Sequence, residues 1–205
     1  MPAVLVSAWI LLAALPVTAQ EWFDALIARV EGQPVLVSDV TTHQILFGDG
    51  VAYPNRDPAQ REAALEALID NRLLLAEAAR FGIARPDAVQ VSRAVTSVQQ
   101  RLGARPAGLD SVELARWIRD DLWISAFVDA RIRAFVMIRD AQVEETLARP
   151  GGRLPDESLD AARARVRESL AEQEAATRLA RYLERLRRRA EVRRFPLPEN
   201  AFPGG

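Results

Sequence analysis

The stretch from Ser158 to Ala190 constrains the fold more than any other. Leu159, Ala162, Val166, Leu170, Leu179, Leu183, Leu186 and Ala190 fall near one face of a single long helix. Most helical stability in water comes from packing such a face, so this helix needs a body to lie against. Glu191 to Phe195 alternates and reads as a strand. Near the other end, Ala25 to Val37 reads as a β-hairpin turning at Glu31-Gly32-Gln33, where Gly32 can adopt positive φ. An isolated hairpin is marginal in water. The economical solution adds Val192 to Phe195 to that hairpin and folds the long helix back onto the first hundred residues.

The segments between are helical. Ser38 is the expected N-cap of a short helix ending near Phe47, with Asp39 complementing its dipole. Gly48 to Pro58 is a loop. Gln60 to Phe81 carries Leu65, Leu68, Ile69, Leu73 and Ala76 on one face, widened by Leu74 and Leu75. Gly82 then caps it. Asp87 to Leu102 carries Val91, Val95, Val98 and Leu102 on one stripe. Leu109 to Val136 is expected as one longer helix, with Leu114, Ile118, Leu122, Ser125, Val128 and Ile132 on its stripe. Arg139 to Leu147 is a short helix, and Arg149 to Pro155 a connection. From Pro196 the chain reads as a disordered tail.

Composition narrows the function classes. The chain has 205 residues and no cysteine, so packing rather than disulfides must hold it together. Basic and acidic residues balance, 27 against 28, and every basic residue is arginine. No global field draws in nucleic acid. His43 is the single histidine, which excludes a His-rich metal site and a Ser–His–Asp set with a second imidazole. Asp120-Asp121 and Glu144-Glu145 are adjacent pairs, but neighbouring helix residues point about 100° apart and do not share a site. No phosphate-cradling glycine motif is present. The expectation is no catalytic residue, no metal and no cofactor. The arginines at 185, 187, 188, 189, 193 and 194 read first as cations complementing a helix C-terminus.

Val4 to Val17 is an apolar run followed by Val17-Thr18-Ala19, which reads as a secretory signal over residues 1–19. No Lys or Arg precedes it, so an uncleaved anchor is the alternative. The run is short for a membrane span, which needs roughly 20 apolar residues.

The order of these motifs resembles a known family. Ile27 to Val40, reading IARVEGQPVLVSDV, is similar to the opening hairpin and helix start of the SurA N-terminal domain. Leu65 to Ile83, reading LEALIDNRLLLAEAARFGI, resembles that family's next helix. Ile118 to Val143 resembles its long helix and the start of the following one, and Ala180 to Phe195 its closing helix and strand. The resemblance implies a mainly α, SurA/trigger-factor-like helical domain with a small N-terminal β-hairpin joined by a C-terminal strand. It divides the chain into a signal (1–19), a helical domain (20–148), a connection (149–157), a helix and strand packing back on that domain (158–195), and a tail (196–205). It also implies a periplasmic chaperone for unfolded or nascent outer-membrane or secreted proteins, with no nucleic-acid partner. Family members usually carry parvulin-type prolyl isomerase domains between the two helical parts, and a domain of roughly 100 residues has no room between Arg149 and Pro155. A non-catalytic chaperone follows. The rival readings are an assembly module for one folded partner and a reduced prolyl isomerase. Trp117, Trp123, Phe127 and Phe135 exceed one narrow stripe, so they are the expected client-binding residues.

Overall fold

A computed structural model describes residues 24–50, 52, 57–103 and 106–196. The expected leader, and the tail beyond Pro196, lie outside the described residues.

The chain runs through β1 (Leu26–Val30), β2 (Gln33–Leu36), α1 (Val37–Phe47), α2 (Pro58–Arg80), α3 (Ala88–Leu102), α4 (Ser111–Arg131), α5 (Asp140–Leu147), α6 (Leu159–Arg189) and β3 (Val192–Arg194). The sheet has the order β2-β1-β3, and both pairings are antiparallel. Glu31 and Gly32 hold positive φ (49° and 79°). Val30 pairs with Gln33 across them, so a two-residue turn closes the hairpin. The C-terminal strand docks on the free side of β1, with Val30 opposite Val192 and Ala28 opposite Arg194. Backbone bonds from Glu31 N to Glu191 O and from Phe195 N to Ile27 O, both 2.9 Å, extend the pairing at each end. The architecture is thus mainly helical, with a small sheet joining the two ends of the folded chain.

The helix boundaries follow their caps. Asp57, Asp87 and Asp110 accept from the first-turn amides of α2, α3 and α4. Helix α2 ends in a Schellman arrangement, with Ile83 N on Ala78 O (3.0 Å) and Gly82 N on Ala79 O (3.1 Å). Two boundaries differ from the sequence expectation. Ser38 lies inside α1 instead of capping it, because the helix starts at Val37 with Leu36 as N-cap. Asp24 supplies the carboxylate, accepting from Ser38 N at 3.1 Å and from the Ser38 hydroxyl, while Asp39 accepts from Leu36 N at 3.1 Å. The long third helix also stops early, at Arg131. Ile132 turns inward and is buried, and residues 133–135 form a 3-10 turn. Arg178 of α6 donates to the Phe135 carbonyl (2.6 Å) and Arg133 pairs with Glu172 (3.3 Å), so contacts with α6 hold the bend.

One core joins the sheet to α1, α2, α4 and the C-terminal half of α6. Ile27, Ala28 and Val30 of β1 share that core with Leu68 and Ile69 of α2, Ile118 and Phe127 of α4, and Leu186 of α6. The N-terminal half of α6 lies outside that core. There Ala162 and Val166 are buried with Val143 of α5, forming a two-helix arm. The connection at the arm's tip is a built turn. Arg165 donates to both Glu157 oxygens (2.8 Å each) and to Gly152 O (2.8 Å), and Arg153 donates to Glu157 O. These contacts start with the Arg165 bond and include the Leu154 amide, and they hold the Glu157 carboxyl down to about 2.

Candidate functional site

Three of the four aromatics singled out from the sequence are core residues. Phe127 is completely buried, and Trp117 and Trp123 are about nine-tenths buried. Phe127 sits between Phe81 (ring centroids 6.0 Å apart) and Tyr182 (5.8 Å), where α2, α4 and α6 meet. Trp123 donates from its indole nitrogen to Ile83 O at 2.8 Å, tying α4 to the turn after α2. Phe135 alone is exposed, at 60 %, beside Met137 at 84 %. These two mark the crook between arm and body. A notch there of about 410 Å³ is lined by Met137, Ile138 and Leu170 with Arg139 and Glu174.

The larger concavity was not legible in the sequence. A groove of about 610 Å³ opens between the end of α1, the second half of α3 and the middle of α4. Leu46, Val98 and Ile118 form its buried floor, and Ile45, Phe47, Leu122 and Leu102 rise along its walls. Three charged side chains line it: Asp49 just after α1, and two on the facing helices α3 and α4. Arg101 of α3 donates to Leu46 O (3.1 Å), complementing the C-terminal dipole of α1. Asp121 of α4 is half-buried, and burial pushes its carboxyl up. Its neighbour Asp120 is not part of the groove lining. Burial pushes Asp120 up too, but Arg72, Arg116, Arg119 and Arg85 oppose the shift. Val98 and Leu102 were legible as an apolar stripe; that the stripe is left partly uncovered depends on where α1 ends.

A buried polar contact joins α1 to α2. Asn71 donates from Nδ2 to His43 Nε2 at 2.7 Å, and His43 is only 7 % exposed. Burial, helped by the positive charge of Arg72, lowers the imidazole to about 4. His43 is therefore neutral and structural near neutral pH. Among the described residues no group of three or more His, Asp or Glu side chains is placed to hold a metal ion. No helix among them is long and apolar enough to cross a membrane.

The C-terminal arginines turn back onto α2. Arg187 makes a forked pair with Asp70 (2.7 and 2.6 Å), Arg194 bonds Glu62 and Glu66, and Arg189 meets Glu77 at 3.1 Å. Glu77 is buried and also accepts from Arg80 and the Tyr182 hydroxyl. Burial favours its neutral form, but the bonds from Arg80 and Tyr182 and the charges of Arg80 and Arg189 win and hold its carboxyl low. Arg187, Arg189 and Arg194 thus fasten the end of the chain to α2.

The groove and the notch are surface concavities with apolar side chains in their lining. Chaperone SurA of Alkalilimnicola ehrlichii is 32 % identical over 156 residues, covering 70 % of this chain. The chain is a distant relative of chaperone SurA. The match covers 36 % of that relative, in keeping with a likeness to the SurA N-terminal domain. No family model matches the chain. The SurA-like relationship was legible in the order of motifs from Ile27 to Phe195, and the observed sheet, closed by a C-terminal strand, has the form that order implied.

Proposed function

We propose that this SurA-like chain is a periplasmic chaperone that holds unfolded outer-membrane or secreted proteins in the groove between α1, α3 and α4, without catalysis. One observation carries the reading: a chain similar to a chaperone leaves an apolar groove of about 610 Å³ open to solvent. The exposed Phe135 and Met137 extend the apolar surface at the crook of the arm. Trp117, Trp123 and Phe127 act behind this surface, by fixing α4 against α2 and α6. Each client side chain fully buried is worth roughly 1.5–3 kcal/mol. Two or three of them, less ordering costs, give an affinity on the order of micromolar. Such weak, non-directional binding permits release without ATP.

The connection between the arm's helices supports the non-catalytic reading. Residues 148–158 turn directly from α5 into α6, where the family's isomerase domains stand. The leader over residues 1–19 supports export, and the long helix with its closing strand (158–195) belongs to the same domain as residues 20–148.

The test is light scattering of an unfolded outer-membrane protein diluted from urea. Near-stoichiometric protein suppresses aggregation, and Leu102→Asp, which charges an exposed groove wall, weakens that suppression severalfold. No suppression at a large excess of protein overturns the reading.

A further inference from the structure

Asp121 is the one acidic group on the inner wall of the groove that makes no hydrogen bond or ion pair among the described residues. The other two charged groups there are engaged: Arg101 with the Leu46 carbonyl, and Asp49 within the protein. The Asp121 carboxylate is therefore half-removed from water with no partner among the described residues to compensate it, a costly state for an anion. The shift of its carboxyl, caused by burial alone, reports the same lack. The apolar part of the lining around it is formed by Ile45, Leu46, Phe47, Val98, Ile118 and Leu122.

We propose that the groove takes an extended segment of an unfolded polypeptide in which a basic side chain lies among apolar ones, its cation seated on the Asp121 carboxylate. The inference rests on the client-holding reading above and names what that groove selects. The chemistry matches on both counts. An arginine or lysine stem is apolar and packs along the walls while its charged head reaches the carboxylate. A charge-assisted bond in a partly desolvated groove is stronger than one at an open surface. The unpaired Asp121 carboxylate also disfavours acidic segments, which would bring two uncompensated anions together.

The test uses the full chain and three short fluorescein-labelled peptides of leucine, phenylalanine and serine, identical except for a central Arg, Gln or Glu. Fluorescence anisotropy is expected to show the Arg peptide binding about tenfold tighter than the Gln peptide, and the Glu peptide weakest. Asp121→Asn, an isosteric change, is expected to bind the Arg and Gln peptides alike, with circular dichroism unchanged. Equal affinity of the unsubstituted protein for the Arg and Gln peptides overturns this inference but leaves the chaperone reading standing, as does an Arg preference that survives Asp121→Asn. Failure of all three peptides to bind overturns both. A dimer in sedimentation that Leu102→Asp dissociates assigns the groove to a second copy of the chain and likewise overturns the inference.

Discussion

His43 shows how one buried side chain makes stability depend on pH. In the folded protein its imidazole titrates near 4, against an ordinary value of 6.5. The unfolded chain therefore binds the proton first. The stabilisation is fully present above pH 6.5 and is lost as pH falls toward 4. Between pH 7 and pH 5 the loss is about 2 kcal/mol. Urea denaturation at the two pH values is expected to show it, and His43→Gln to show a flatter response. Asp120 and Asp121 act with the opposite sign, because burial raises their folded values. They favour the folded state as pH falls through their raised folded values. The aromatics separate at the same scale. Phe127→Ala empties a fully buried site and is expected to cost about 3–5 kcal/mol. Phe135→Ala removes an exposed ring and is expected to stay within about 0.5 kcal/mol. Thermal denaturation of the pair checks both. From the sequence the two phenylalanines read alike. The difference comes from the bend at Ile132, which carries Phe135 off the stripe that buries Phe127.

At the scale of elements, α6 is divided. Its C-terminal half is part of the core, and the clasp of arginines on α2 fixes its position. Glu77 is the centre of that clasp. Glu77→Ala would leave the Tyr182 hydroxyl, Arg80 and Arg189 without their shared acceptor and is expected to cost about 2 kcal/mol. Arg188→Ala removes an exposed pair with Glu184 and should change stability by less than about 0.5 kcal/mol. Chemical denaturation distinguishes the two. The N-terminal half of α6 depends instead on α5 and on the turn at the arm's tip. Gly152 permits a close approach there, since an added Cβ would meet Thr146 O at 2.5 Å and Leu147 O at 2.6 Å. Gly152→Ala is expected to loosen the tip, read as faster hydrogen exchange in residues 148–158 with the core amides unchanged.

For the whole molecule, the sheet ties the front of the chain to its end, so the ends of the folded chain cannot separate without exposing β1. Removing β3 is expected to expose Ile27, Ala28 and Val30 and to make the protein aggregate, as seen by size-exclusion chromatography. A prolyl-peptide isomerisation assay is expected to give no rate above background, in line with the direct turn from α5 to α6.

Much of this architecture is written in local chemistry. The apolar spacing from Leu65 to Leu73, the Asp57 and Asp87 caps, Gly32 in the hairpin and Gly82 after α2 each act within a few residues. Helix, turn and their order are therefore determined by the chain itself, as is the likeness to SurA that the order carries. Which surfaces stay open is another matter. Tertiary packing buried Trp117, Trp123 and Phe127, left Leu102 and Asp121 at a groove, turned Arg187, Arg189 and Arg194 onto α2, and made Asp24 the cap that Ser38 resembled. Each depends on groups distant in sequence, and burial is a property of what neighbours cover, which no local pattern contains.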